Sequence, residues 1–355
     1  MDVVRLYVET TKHVDIEYHY DWIVCKRIIC NMNILVTGGL GLIGHNVVKL
    51  LQDQGHIVSV IDTKTNYGII PNTEINHLMT ERMKKLDTTN LQIYESNITY
   101  AREMDHIFNI EQPEIVIHMA SFPRQKVVNA NPQLGSRVMS EGLLNLLEAS
   151  KNYDVRKFVY ISSSMVYGDF TDDVKEDAVC NPQGQYGIMK LAGEWLVRDY
   201  ARRTGLVGTI IRPSAVYGEL DVEDRVIAKF MLTAMRGGVL NVNGAGETLD
   251  FTYVEDAADG IVAAALSDNT DNKTYNITKS HSRTLLDAAQ LAVKIAGKGS
   301  INVRDRDLDF PSRGALNIEA ARRDFGYDPK VDVEEGFVKY YEWFSTSPYW
   351  QSKLK

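Results

Sequence analysis

The stretch Asn33-Ile34-Leu35-Val36-Thr37-Gly38-Gly39-Leu40-Gly41-Leu42-Ile43-Gly44 decides the fold of this chain. A short apolar run rich in β-formers enters a glycine-rich bend, and the bend opens a segment of helical pattern over 42–54. Strand, glycine turn and helix in that order mark a dinucleotide-binding loop, whereas a bare glycine cluster marks only a turn. A helix N-terminus presents unpaired backbone N–H groups and the positive end of its dipole, which suit a pyrophosphate. Gly38 is expected to permit the tight bend, Gly41 to let the backbone approach the phosphates, and Gly44 to allow close helix packing, with Leu42 and Ile43 completing the loop. Asp62 closes the second strand, where a carboxylate accepts from the ribose hydroxyls and repels a 2′-phosphate, so NAD is expected rather than NADP. Lys64 nearby is a poor substitute for the arginine that an NADP site would place there.

Outward from this loop, short Val- and Ile-rich runs alternate with helical segments. Strands are expected at 33–37, 57–62, 91–95, 115–120, 158–163 and 207–211, and helices near 42–54, 73–86, 101–110, 134–151 and 186–204. Strands of nearly continuous hydrophobicity are those buried on both faces of a parallel sheet. The expected fold is α/β: a doubly wound parallel (Rossmann) sheet, followed by a smaller mixed α/β C-terminal substrate lobe. The binding domain is expected over 32–211, with part of 239–278 returning to it, and the lobe over 212–355. Helices are expected there near 284–297 and 317–325. No repeat or low-complexity tract is visible.

Composition narrows the function classes. The 355 residues suffice for one large or two ordinary domains, and 44% hydrophobic with 24% charged residues is ordinary for a globular protein. No run approaches the roughly 20 apolar residues of a membrane-spanning helix. A net charge of −8, from 39 Lys+Arg against 47 Asp+Glu, argues against a nucleic-acid partner. An anionic substrate would need a local basic pocket. Cys25, Cys30 and Cys180 form neither a metal set nor a disulfide framework; Cys25 and Cys30 are either a pair or two separate thiols, and a reducing cytoplasm fits them best. No metal is expected. Residues 1–31 carry Asp2, Arg5, Glu9, Lys12, Asp15, Glu17 and Asp21 and read as neither a signal nor a transit peptide. They are either an extension upstream of a start at Met32 or a short ordered arm.

Tyr-x-x-x-Lys occurs at Tyr153/Lys157, Tyr186/Lys190, Tyr275/Lys279 and Tyr349/Lys353, as 18 tyrosines make unsurprising. Only Tyr186/Lys190 heads a long helical segment, where residues four apart share a face. A phenol near pKa 10 is a poor base at neutral pH, and a neighbouring ammonium favours the phenolate. Tyr186 is therefore the candidate base, with Lys190 as its activator and as a ligand of the nicotinamide ribose. Ser162-Ser163-Ser164 closes the fifth strand, at the end of the sheet where such folds bind ligands.

These motifs, with His118-Met119-Ala120, Ser162 to Gly168 and Arg212-Pro213-Ser214-Ala215-Val216-Tyr217-Gly218, resemble the extended short-chain dehydrogenase/reductases, and most closely the UDP-glucose 4-epimerase group, over roughly 32–345. The resemblance implies Ser163 as the catalytic serine, four residues before Tyr167. It implies cofactor contacts at Asn97, Ile98, Ala120 and Pro213 and substrate contacts at Ser163 and Ser214. Ser121, Arg124 and Lys126 after the fourth strand, and Arg306 and Arg313 in a late loop, are further candidate substrate ligands. Three departures stand out. Ser164 and Met165 replace the Asp-Glu that dehydratase relatives use to eliminate water, Met139 stands where many relatives have Asn, and Leu249 stands where several epimerases hold the substrate diphosphate with Arg.

The resemblance implies an epimerase of a nucleotide-linked sugar that oxidises it transiently to a keto-sugar. A dehydrogenase or reductase using the same residues is the near alternative, and a non-catalytic NAD-binding protein the distant one. It also implies a homodimer through the segments 134–151 and 186–204. Leu143, Leu144, Leu147, Trp195 and Leu196 would supply its apolar contact, although core packing accounts for them equally well.

Overall fold

β1 (Asn33–Thr37) lies in the interior of a parallel sheet and runs through the glycine bend into α1 (Leu42–Asp53). We describe a computed structural model of the chain, covering residues 31–66, 68 and 70–354. The readings of residues 1–31, and of Cys25 and Cys30, lie outside these residues save Asn31. Next come β2 (Ile57–Ile61), α2 (Asn72–Lys84), β3 (Gln92–Tyr94), α3 (Ala101–Glu111) and β4 (Ile115–His118). Two short helices, α4 (Gln125–Ala130) and α5 (Pro132–Ser136), lead through a π-helical turn at Arg137–Glu141 into α6 (Gly142–Asn152). The single helix expected over 134–151 is thus broken, with buried Met139 inside the π turn. β5 (Lys157–Ile161), α7 (Gly184–Thr204) and β6 (Val207–Pro213) complete the first half.

The second half contains β7 (Val216–Tyr217), α8 (Val226–Met235), β8 (Val239–Asn243), β9 (Thr248–Asp250), β10 (Thr252–Tyr253) and α9 (Val254–Leu266). These are followed by β11 (Thr274–Ile277), β12 (Ser282–Thr284), α10 (Leu285–Ala296), β13 (Ser300–Arg304), α11 (Glu319–Phe325), α12 (Val333–Thr346) and α13 (Pro348–Leu354).

The main sheet has the order β11-β6-β5-β4-β1-β2-β3, with every neighbouring pair parallel. Chain direction across the sheet reverses between β1 and β4, and a crevice opens at such a switch point beyond the strands' carboxyl ends. β1, β4 and β5 are buried almost throughout, as their unbroken apolar runs require. Separate apolar clusters fill the two faces of the sheet, one under α1 and α9 and the other under α3, α6 and α7. α9 and β11 come late in the chain yet belong to this layer: β11 pairs with β6, and α9 packs along α1.

A third cluster, built from α8, α10, α12 and α13, fills the lobe. There β8 and β13 pair in parallel and β9 and β12 antiparallel, so the lobe is mixed α/β. No helix among the described residues is long and apolar enough to cross a membrane.

Candidate active site

A cavity of about 880 Å³ opens at the switch point and extends between sheet and lobe. At one end lies the glycine bend. Gly38 has φ +72°, and a Cβ there would stand 2.7 Å from the Ala120 nitrogen, so the bend closes against the end of β4 only without a side chain. A Cβ on Gly44 would overlap the Gly38 carbonyl; this glycine packs α1 against the bend itself. Gly39, to which the sequence assigned no role, faces β2, where a Cβ would stand 2.7 Å from Val60. No side chain caps the N-terminus of α1, and its first turn carries no acidic residue, so its N–H groups face the cavity free of a competing carboxylate. The Asp62 carboxylate accepts from the Leu40 N–H at 3.0 Å and the Lys64 N–H at 2.8 Å, and burial raises its pKa. Leu42, Ile43, Asn97, Ile98, Ala120 and Pro213 line the same cavity. An uncapped helix start, a cradle that a Cβ would fill and a carboxylate at the second strand's end fit a dinucleotide such as NAD.

The triple serine is sorted by its hydrogen bonds. Ser162 is buried and donates to Glu194 at 2.6 Å, and the Ser164 hydroxyl contacts that of Ser214 at 3.1 Å. The middle hydroxyl, Ser163, accepts from the Met165 N–H at 3.2 Å and lines the cavity together with Tyr186, whose phenol pKa it pulls down. α7 brings Tyr186 there by close packing: a Cβ on Gly187 would stand 2.6 Å from the Met165 carbonyl oxygen. Gln125, buried at the start of α4, accepts from the Tyr186 N–H at 3.1 Å and so fixes the first turn of α7. Sequence reasoning missed it, since nothing local links positions 125 and 186.

Lys190 lies one turn behind, its Nζ 5.9 Å from the Tyr186 ring centroid and donating to the Ile161 carbonyl at 2.7 Å. Burial lowers its pKa to about 7, against the opposing charge of Glu194. Burial pushes the Tyr186 phenol up, and the Ser163 hydroxyl and the charge of Arg225 pull it down. Behind this group, Arg212 donates to both oxygens of Glu194, at 2.8 and 2.7 Å, inside the protein. That pair holds the ends of β5 and β6 and the middle of α7 in one network.

On the lobe side Ser121, Arg124, Lys126, Ser214 and Arg313 all line the cavity. Arg124 and Lys126 share Asp224, at 3.0 and 3.1 Å. Arg313 contacts the Met165 sulfur at 3.6 Å, and burial lowers its pKa to about 10. Arg306 does not join them. It is exposed and outside the cavity lining, 3.5 Å from Glu247 and donating to the Phe310 carbonyl at 3.0 Å. Leu249 lines the cavity, so an apolar side chain faces the expected diphosphate region. Arg225, which the sequence reading passed over, reaches the cavity from the start of α8 and lies 3.6 Å from Asp221. The apolar residues named for a dimer divide: Leu143 and Leu147 are core, whereas Leu144 and Trp195 point outward.

A doubly wound sheet whose glycine bend and Ser–Tyr–Lys group face one cavity defines the extended short-chain dehydrogenase/reductase class. The family model described as "NAD dependent epimerase/dehydratase family" matches residues 34–278, and the chain belongs to that family of NAD-dependent enzymes. It is similar to UDP-glucuronate 4-epimerase 1 of Arabidopsis thaliana, with 26% identity over 91% of this chain and 79% of that protein. Among solved structures it resembles UDP-glucose 4-epimerase of Thermotoga maritima with UDP-glucose, at 28% identity and TM-score 0.78, covering 91% of this chain and 100% of that one. It also resembles UDP-glucuronic acid 4-epimerase of Bacillus cereus in complex with UDP-glucuronic acid and NAD, at 28% identity and TM-score 0.80, covering 87% and 98%.

Proposed function

We propose that this enzyme epimerises a UDP-linked sugar at carbon 4 by transient oxidation to the keto-sugar. One observation carries the reading: of three consecutive serines, Ser162 is engaged by Glu194 and Ser164 by Ser214, which leaves Ser163 to serve Tyr186 in the cavity that also holds the glycine bend. NAD, when bound, supplies the hydride acceptor and returns the hydride. Tyr186 takes the proton of the sugar hydroxyl and later gives it back. Ser163 holds the reacting oxygen, and the Lys190 ammonium adds positive charge behind the phenol and a donor for the cofactor ribose. Dehydration is disfavoured, because the Ser164 hydroxyl is engaged with Ser214 and Met165 offers a thioether in place of an acid.

The same reading makes α6 and α7 a homodimer face. They expose Leu144 (37%), Ile188 (53%) and Trp195 (63%), while Leu143 and Gly193 meet between the two helices. Large apolar side chains exposed together mark contact surfaces.

UDP-glucose and UDP-glucuronate, incubated separately with the NAD-loaded enzyme and followed by NMR, test the reaction. The expected outcome is conversion of one of them to its 4-epimer without added reductant, and loss of about 10²–10⁴ in rate for Tyr186→Phe. Stoichiometric NADH release with a keto product would establish a dehydrogenase instead. Unchanged turnover in Tyr186→Phe would remove the assigned base.

A further inference from the structure

The geometry points to Arg82 as a positioning residue that ties the dinucleotide loop to the substrate-side loop 218–225, so that cofactor binding orders the latter. Arg82 sits on α2, far in sequence from both loops, and its guanidinium is buried. One terminal nitrogen donates to the carbonyl of Leu40, inside the glycine bend, at 3.0 Å. The other donates to the carbonyl of Leu220 at 2.7 Å. A planar fork of this kind holds two acceptors at a set spacing, which a lysine cannot do.

One end of the bridge leads to the cofactor side of the cavity and the other to its substrate side. Leu40 donates its N–H to Asp62, the residue placed for the cofactor ribose. Leu220, buried and in the left-handed region at φ +66°, precedes Asp221, whose carboxylate faces Arg225. Arg225 and Tyr186 line the same cavity. α2 and the residue that ends it grip the same loop twice more, through Glu74, which accepts from the Glu223 N–H at 2.8 Å, and through Lys85, 3.3 Å from Glu219. Those two contacts anchor the loop to α2 alone. Arg82 joins it to the glycine bend, and among the described hydrogen bonds it touches both loops at once.

A ligand that fixes the bend therefore fixes the Leu40 carbonyl, and through Arg82 the Leu220 carbonyl. Coupling of this sort is typically worth about 5–150-fold between two sites. The inference rests on the cavity being the NAD site and uses no turnover, so a missing epimerase product would refute the proposed reaction without touching it.

Hydrogen–deuterium exchange of the full chain with and without saturating NAD provides the test, with the glycine-bend peptide reporting occupancy. In the wild type, NAD should slow exchange across 218–225 by at least about fivefold. In Arg82→Met the bend should still become protected while 218–225 shows no slowing. Should that variant fail to fold, Arg82→Lys serves, and the same loss of slowing is expected. A purely structural Arg82 would speed exchange equally with and without NAD, leaving the ratio intact, and that result would overturn the inference. So would a wild-type loop that ignores NAD while the bend is protected.

Discussion

Replacing Lys190 by methionine should make the dinucleotide-free protein more stable while abolishing turnover. Lys190 is only 4% exposed, and among the described residues its ammonium has one hydrogen-bond acceptor, the Ile161 carbonyl, at 2.7 Å. Burial takes its pKa from 10.5 to about 7. At about 1.4 kcal/mol per pH unit, that displacement corresponds to about 4–5 kcal/mol of unfavourable burial at neutral pH. Methionine forfeits a charge-assisted hydrogen bond worth about 1.5–3 kcal/mol and keeps most of the packing. The net gain expected at pH 7 is thus about 2 kcal/mol. The unfolded lysine keeps its proton up to about 10.5 and the folded one only up to about 7, so between those values the unfolded chain binds more protons. Wild-type stability from this group therefore rises with pH across that window, and the variant lacks the rise. Urea unfolding at pH 7, 8 and 9 measures both. A destabilised Lys190→Met protein, or parallel pH profiles for the two proteins, would refute the burial argument.

The serines should separate cleanly. Ser162→Ala removes a donor from buried Glu194 and should cost about 1–3 kcal/mol in urea unfolding, whereas Ser163→Ala should slow turnover about 10²–10³-fold with a stability change below about 1.5 kcal/mol. Gly44→Ala forces a Cβ against backbone atoms of Gly38 and Gly39; a stability loss of about 1–3 kcal/mol, with at least tenfold weaker NAD binding by calorimetry, is expected. Leu144→Asp with Trp195→Asp should convert a dimer to monomer in light scattering at micromolar concentration while leaving circular dichroism unchanged, because both side chains already point outward.

The parts of the site legible in the sequence are those that one local stretch of backbone creates. The bend 38–44 and the Tyr186/Lys190 spacing state their geometry in adjacent letters. Ser163 stood out by its distance from Tyr167, and its neighbours prove to be spoken for by Glu194 and Ser214. The illegible parts are contacts between distant segments. Arg82 meets Leu40 and Leu220, 42 and 138 positions away, and its surroundings in α2 look like any charged helix. Arg306 and Arg313 read alike as loop cations, and only the path of the chain leaves one outside the cavity. Leu143 and Leu144 adjoin in sequence yet face opposite ways, which the π turn before α6 makes hard to phase from the pattern alone.

The late return of α9 and β11 has a bearing on how the protein is made. Until the ribosome has released residue 277, β6 is a bare edge and one flank of α1 has nothing against it. An exposed parallel edge invites pairing with foreign strands. The nascent cofactor half must therefore wait, incomplete, for much of the lobe to be synthesised, and a fragment cut at 211 would be a sticky, unfinished sheet.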